Sequence, residues 1–196
     1  MIGRGWALVA QGQGDEGMMQ LRHGIAALQA TWSTLTRVSF LAQLAEAYGR
    51  TGQIEEGLHV LAEALAAVHS TGERYCEADL YRLQGEFLLR QAAPGAAPTA
   101  PPPTALLAEA EWVGATDVQP LRTEAETCLC HALDIARRQQ TKSLELRAAM
   151  SLSRLWQQQG KRAEAHQLLA EVYGWFTEGF ETGDLREAGA LLDELT

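Results

Sequence analysis

Apolar side chains return every three or four positions through most of this chain. The spacing is clearest in the segments 41–48, 58–68 and 165–176, where Leu, Ala and aromatic residues are interleaved with Glu, Gln and His. This period places the apolar side chains on one face of an α-helix. Alternating β-branched residues are scarce, and no Asn-Gly or Asp-Gly turn separates alternating runs, so a sheet has little support. The pattern predicts an all-α protein built from amphipathic helices.

The prolines divide the helical sequence. All six lie between Pro94 and Pro120, and the flanking segments contain none. Because proline lacks a backbone N–H and disrupts a helix interior, this stretch predicts a flexible loop inserted between helices. The Pro98 and Pro101 spacing also fits a polyproline ligand, but we interpret it as a surface insertion. The predicted regions are 1–92, 93–120, 121–179 and 180–196.

The helical segments repeat. A shift of about 40 residues, with about 28 residues around the prolines treated as an insertion, aligns four units. Small residues form one column: Gly5, Ala45, Gly85 and Ser153. Large apolar residues follow three positions later: Leu8, Tyr48, Leu88 and Trp156. A helix-ending column follows: Gly12, Gly52, Ala92 and Gly160. Glycine suits that position because it takes the left-handed conformation that closes a helix.

A second helix in each unit shows the same agreement. An acid is expected in its first turn, where it complements the helix dipole: Glu16, Glu56, Glu124 and Glu164. Small residues come next: Gly17, Gly57, Ala125 and Ala165. A leucine column follows: Leu21, Leu61, Leu129 and Leu169. Small residues permit two helices to cross closely, and large ones fill the space beside the crossing. Since one hairpin cannot cover its own apolar face, the repeat predicts a stacked α-solenoid of about four hairpins.

This spacing of small and large residues resembles the tetratricopeptide repeat (TPR). That repeat is usually about 34 residues long, so units of about 40 residues are extended versions of it. The segments 44–65, 73–90 and 147–195 are, more specifically, similar to the C-terminal helical region of large bacterial regulators. In that family the region follows a predicted signalling ATPase and a nucleotide-cyclase or DNA-binding output domain. The resemblance implies a non-enzymatic module that binds a protein or peptide partner or other domains of its own parent chain. A cytoplasmic location is expected separately, because the sequence shows no signal peptide pattern.

The two ends of the sequence differ. Met1 aligns with Leu41, where the first helix of a unit is already under way, so the first unit is short and the chain is expected to be a C-terminal fragment of a larger protein. The segment 183–196 reads as a short amphipathic helix that caps the last unit. The alternative is a tail that docks on another domain.

Composition limits the classes of function. The chain of 196 residues has 16 Lys and Arg against 25 Asp and Glu, and its net charge of −9 has the wrong sign for a nucleic-acid binder. It contains no signal peptide pattern and no apolar run of membrane-spanning length. Three cysteines do not form a disulfide framework.

Motifs that would carry chemistry are weak. The string from Gly12 to Gly17 fits G-x-G-x-x-G but follows a helix rather than a strand, so we interpret it as a turn and expect no bound cofactor. No P-loop sequence is present. Cys128, Cys130 and His131 form a metal-like cluster, yet only Cys128 and His131 share a helix face, and four ligands are needed for a closed zinc site. We therefore interpret the thiols as buried and inert and expect neither a metal nor a catalytic site.

A stripe on the first helices is the candidate binding surface. If these helices line the concave side, as the resemblance implies, the positions outside the core mix charges and become more basic toward the C terminus. The stripe residues are Gln43, Glu46, Arg50, Arg82, Glu86, Arg90, Arg147, Arg154 and Gln157. Such a surface suits an acidic peptide. The alternative for each residue is an ordinary solvated helix face. Trp175 and Phe180 are candidate contact anchors outside the stripe.

Three functions remain to be compared. The leading hypothesis is a protein-interaction solenoid that acts as the regulatory part of a larger signalling protein. A second is a small-molecule sensor, which requires a concave apolar pocket with convergent polar groups. A third is an enzyme, which requires a cluster of perturbed ionisable residues.

Overall fold

The computed structural model describes residues 2–30, 37–93 and 118–196, and within them the secondary structure is helical without strands. The helices are α1 (Ile2–Ala10), α2 (Gly14–Ala30), α3 (Arg37–Arg50), α4 (Ile54–Thr71), α5 (Glu77–Gln91), α6 (Gln119–Gln139), α7 (Lys142–Gln158), α8 (Arg162–Tyr173) and α9 (Gly183–Leu195). None of these helices combines the length and the apolar character needed to cross a bilayer. The predicted insert 93–120 lies almost entirely outside the described residues.

The helices pair into four stacked hairpins followed by α9. The hairpins are α1–α2, α3–α4, α5–α6 and α7–α8, and each second helix also packs against the first helix of the next unit. The first helices α1, α3, α5 and α7 contact one another in succession, and α9 extends this row by packing against α7 and α8. The predicted all-α solenoid with a C-terminal helix is therefore confirmed.

Small residues mark the crossing inside each hairpin. A Cβ at Gly5 would lie 2.9 Å from the carbonyl oxygen of Gly17, and one at Gly85 would lie 3.0 Å from the carbonyl oxygen of Ala125. In the last unit the fully buried hydroxyl of Ser153 donates a hydrogen bond to the carbonyl of the equivalent Ala165, at 3.1 Å. The helices approach so closely that larger side chains are excluded.

The leucine column lies in the core beside these crossings. Leu21, Leu61, Leu129 and Leu169 are between 0% and 1% exposed. Full burial of one such side chain stabilises the fold by about 1.5–3 kcal/mol. The repeat assigned from the sequence is thus the packing repeat of the protein.

Three of the hairpin turns use the glycine column. Gly12, Gly52 and Gly160 have φ of 84°, 77° and 80°. The next residues are Gln13, Gln53 and Lys161. Their backbone N–H groups donate hydrogen bonds of 2.8 to 3.0 Å to the carbonyl oxygens of Leu8, Tyr48 and Trp156, respectively. This six-residue pattern is the Schellman motif, and it satisfies carbonyls that a helix end leaves without partners.

The third unit departs from the predicted pattern. Ala92 ends α5 with φ of −77°, so it does not adopt the left-handed conformation of the glycines in its column. The expectation that Glu124 lies in the first turn of a second helix is wrong, because α6 begins at Gln119 and has no acid in its first turn. Pro120 explains the earlier start, since proline is favoured in the first turn, where its missing N–H has no partner to lose.

Phe87 joins the second and third units. It is 1% exposed, and its ring lies between two glycines of the preceding hairpin. A Cβ at Gly49 in α3 would lie 2.5 Å from Cε1 of the ring, and a Cβ at Gly57 in α4 would overlap Cε2. The glycines leave the volume that the ring fills, so the two units interlock.

A polar network joins the third and fourth units on the other row. The Glu126 carboxylate of α6 accepts hydrogen bonds from Nε1 of Trp156 at 2.8 Å and from Nε2 of Gln159 at 3.0 Å, and Nζ of Lys161 lies 3.5 Å away. Partial burial opposes ionisation, but the bonds from Gln159 and Trp156 and the charge of Lys161 hold the pKa of Glu126 below its usual value. The ionised carboxylate therefore fastens α6 to the α7–α8 turn.

Candidate partner-binding groove

A groove of about 440 Å³ runs across the row of first helices. It is lined by α3, α5 and α7 and is bordered by α9. The side chains along its walls are spaced three or four positions apart on each helix, as expected for one face. The lining residues are Glu46, Arg50, Arg82, Glu86, Leu89, Arg90, Arg147, Met150, Ser151, Arg154, Leu155, Gln158, Asp184 and Glu187.

The centre of the groove is a charge network on α5. Nε of Arg82 donates to Asp79 at 2.8 Å, and Nη1 donates to Glu86 at the same distance. The Arg82 side chain is only 12% exposed. Burial disfavours its charge, but the carboxylates of Asp79 and Glu86 more than offset this and raise the pKa of the guanidinium. Arg82 is therefore a fixed cation, with its Nε and Nη1 donors already bound to carboxylates.

Ser151 ties α7 to this network. Its hydroxyl donates a hydrogen bond of 2.6 Å to Oε1 of Glu86, the same oxygen that accepts from Arg82. The hydroxyl oxygen also lies 3.1 Å from the carbonyl oxygen of Arg147, one turn earlier. A single carboxylate oxygen thus connects neighbouring units at the floor of the groove.

Arg50 and Arg90 form the wall nearer the N terminus. Arg50 pairs with Glu46 one turn earlier at 3.0 Å and lies over the ring of Trp6, 5.7 Å from its centroid. Nη1 of Arg90 donates to the carbonyl of Gly49 at 2.6 Å and thereby satisfies the end of α3. Within the described residues Arg90 is bound by this carbonyl rather than by a carboxylate, so its charge faces the groove without a neutralising partner.

The other wall is built by α7 and α9. Nε of Arg147 lies 2.7 Å from Oδ2 of Asp184, and Nη2 of Arg154 lies 2.6 Å from Oε1 of Glu187. Leu185, the small residue Ala188, Leu191 and Leu195 bury the adjoining face of α9. The predicted C-terminal helix thus packs on the last unit and also contributes carboxylates to the groove.

Most of the predicted stripe meets in this groove. The stripe residues that line it are Glu46, Arg50, Arg82, Glu86, Arg90, Arg147 and Arg154. Gln43 lines an adjoining depression of about 530 Å³, which shares Glu46 and Arg147 with the groove. Gln157 does not line the groove, and its neighbour Gln158 does. That difference is one helical step of about 100°, which turns the side chain away from the groove face.

Sequence reasoning missed Ser151, Asp184 and Glu187. The two acids stand three residues apart at the edge of the buried face of α9, a spacing that is visible in the sequence. The amphipathic pattern of the helix predicts an end cap for the last unit but does not indicate that its acids meet the first-helix stripe. Ser151 carries no comparable signal, because a serine at the polar edge of a helix is common.

The weak motifs occupy structural positions. Gly12 forms the turn before α2, and Gly17 lies at the helix crossing. Cys128 is buried, whereas His131 is exposed and its ring lies 4.3 Å from that of Tyr81. Burial, reinforced by Glu124, raises the pKa of the Cys128 thiol, and so disfavours the thiolate that binds metals. The described residues contain no group of three or more His, Cys, Asp or Glu side chains placed to hold a metal ion.

Aromatic side chains near the end of α8 are partly exposed. Trp175 and Phe180 are 58% and 43% exposed, respectively. Nζ of Lys142 lies over the Trp175 ring, 5.6 Å from its centroid, and the Phe180 ring lies 5.7 Å from that of Tyr173. Both candidate anchors are thus available to solvent, but they lie outside the groove lining.

Comparison with solved structures identifies the architecture. A Podospora anserina protein described as kinesin light chain-like, with nearly identical TPR-like repeats, superposes with a TM-score of 0.59 at 19% identity, covering 99% of this chain and 82% of the other. A point variant of that protein gives a TM-score of 0.64 at 17% identity with the same coverage. The fold is TPR-like. No protein-family model matches the sequence, and the search of curated proteins returns no match. TPR-like repeats generally act as protein-interaction scaffolds rather than enzymes. At these identities, the structural likeness shows the fold of this chain and not its function.

Proposed function

We propose that the chain is a protein-interaction module that binds an acidic segment of a partner in the groove across α3, α5, α7 and α9. The observation that supports this most directly is the lining of that groove, where five arginines face a common space on a TPR-like solenoid. Arginine binds carboxylates through paired, charge-assisted hydrogen bonds, so this lining favours an acidic chain.

The groove suits a peptide better than a small apolar ligand. Its apolar lining residues are Leu89, Met150 and Leu155, and they are interspersed among charged side chains. Ligand pockets for small molecules are instead predominantly apolar with a few polar groups. The small-molecule sensor therefore remains the second hypothesis, without a specific observation in its favour.

The resemblance of the repeats to the C-terminal regions of bacterial regulators supports a cellular setting. In this proposal the module is the regulatory part of a larger cytoplasmic signalling ATPase, cyclase or transcriptional regulator. The acidic segment then belongs either to another protein or to a domain of the same parent chain. A groove that recognises an extended or helical peptide accommodates both cases.

Peptide selection tests the proposal. Peptides selected from a random display library against the purified chain should be enriched in Asp and Glu. Their affinity should fall about tenfold or more for the groove variant Arg50→Gln/Arg90→Gln, since two cations that face the peptide are removed. Far-UV circular dichroism of each variant checks that the helices are retained, because Arg90 also binds the carbonyl of Gly49.

A matched control removes the same charge elsewhere. Arg122 and Arg138 are exposed on α6 and do not line the groove. The variant Arg122→Gln/Arg138→Gln should bind the selected peptides as the wild type does. Selected peptides that bind both double variants equally would contradict the groove assignment.

A further inference from the structure

The carboxylates that neutralise one wall of the groove come from the chain's own last helix. The lining contains five arginines and four carboxylates, and two of those carboxylates, Asp184 and Glu187, lie on α9. Without them the lining from α3, α5 and α7 would hold five arginines against Glu46 and Glu86. Helix α9 therefore supplies Arg147 and Arg154 with carboxylates, which are the groups that an acidic partner would also supply.

The ion pairs with α9 differ from the network at the centre of the groove. The side chains of Arg147 and Asp184 are 44% and 40% exposed, and those of Arg154 and Glu187 are 39% and 60% exposed. Ion pairs this open to water are weak and exchange readily. Arg82 differs from these two arginines because its side chain is buried and its Nε and Nη1 are held by Asp79 and Glu86.

Packing keeps α9 in place while its pairs exchange. Helix α9 is buried through Leu185, Leu191 and Leu195, and Asp184 and Glu187 lie along the edge of this buried face. The apolar contacts of α9 with α7 and α8 do not depend on the two carboxylates. The arginine side chains can therefore turn from α9 to an incoming acidic chain without undocking the helix.

We propose that α9 is an internal competitor for the acidic partner: Asp184 and Glu187 occupy the carboxylate-binding positions of Arg147 and Arg154, and the partner binds by replacing them. This inference rests on the proposed function of the groove. It assigns the partner carboxylates to Arg147 and Arg154, and it makes partner affinity depend on the charge of α9. Neutralising these two acids should strengthen binding, because Arg147 and Arg154 then no longer have to give up an ion pair with α9.

The test measures binding of a short fluorescent oligoglutamate peptide to the full chain by anisotropy at low salt. The variant Asp184→Asn/Glu187→Gln keeps the size of both side chains and removes their charge. It should bind the probe roughly fivefold more tightly than the wild type, in keeping with the loss of two weak competing pairs. Glu187→Gln alone should give a smaller gain and leaves the first turn of α9 unchanged.

The matched control is Asp193→Asn/Glu194→Gln on the same helix. These side chains are exposed and do not line the groove, and their neutralisation changes the net charge by the same amount. This control should bind the probe no more than marginally better than the wild type. Equal gains in the two double variants would overturn competition, since they would reflect net charge alone.

A third variant locates the effect. Arg147→Gln/Arg154→Gln should bind the probe more weakly than the wild type, and Asp184→Asn/Glu187→Gln should give a smaller gain in this background than in the wild type. If the α9 variant binds as the wild type does, competition is overturned, while the peptide-selection test with Arg50 and Arg90 still decides the groove function separately. Binding of the probe that is unaffected by loss of Arg147 and Arg154 also overturns the inference.

Discussion

The contact between Phe87 and Gly57 predicts a strong energetic coupling between the second and third units. Replacing Gly57 by Ala places a Cβ in overlap with Cε2 of the buried ring and 3.1 Å from Cδ2. A helix gains about 1 kcal/mol from Gly→Ala, whereas overpacking a core costs about 1–3 kcal/mol. We therefore expect Gly57→Ala to lower the free energy of unfolding by about 1 kcal/mol.

The sign should reverse when the ring is removed. Phe87→Leu alone should be destabilising by about 1–2 kcal/mol, because it leaves part of the ring volume empty. In the Phe87→Leu background the new methyl at position 57 has room, so Gly57→Ala should stabilise the protein by about 1 kcal/mol. The double-mutant cycle then yields a coupling of about 2 kcal/mol between the two positions.

Urea unfolding followed by far-UV circular dichroism measures the four members of the cycle. The control is Gly3→Ala, because a Cβ at this helical glycine has nothing within 4 Å. This substitution should be stabilising, by up to about 1 kcal/mol, because it gains the helix propensity of alanine without a steric clash. A stabilising Gly57→Ala in the wild type, or effects that simply add in the double variant, would refute the interlocking of the two units.

Three further outcomes follow from the contacts of the hairpins. Gly17→Ala should destabilise by about 2 kcal/mol in urea unfolding, more than Gly57→Ala, because the new Cβ meets backbone atoms that cannot rotate away. Ser153→Ala should cost about 1 kcal/mol by the same measurement through the lost bond to Ala165, and an unchanged midpoint would show that the bond contributes nothing. The pKa of Glu126 is lowered in the folded state, so its ionised form stabilises the protein above the unfolded-state pKa and loses this effect as the pH falls through the folded-state pKa. The thermal midpoints of wild type and Glu126→Gln should accordingly differ at neutral pH and converge in acid.

The sequence was sufficient to predict the packing of the hairpins. Columns of small residues at the crossings and of leucines beside them are direct consequences of close helix packing, and such constraints recur in every unit. The leucines at 21, 61, 129 and 169 are buried as the alignment requires. Helix ends were predictable where glycine closes a turn, as at Gly52, because the left-handed conformation strongly favours that residue.

The details of the third unit and of the groove were less accessible. The start of α6 depends on where the chain after the prolines re-enters the helix, and a repeat alignment does not contain that information. The ion pairs of Arg147 and Arg154 join helices that are distant in sequence, and several acids are within reach of such long side chains. Periodicity identifies the face of a helix but not the partner of a particular charge.

The bond between Ser151 and Glu86 also bears on the width of the groove. At 2.6 Å it joins a serine on α7 to a carboxylate on α5, so the two helices are close together at this point of the groove floor. A larger side chain at the buried position 151 would have to displace the Glu86 side chain or move the two helices apart. The width of the groove, and with it the thickness of the peptide that fits, thus depends on the residue at position 151. This dependence is separate from the charges that attract the peptide.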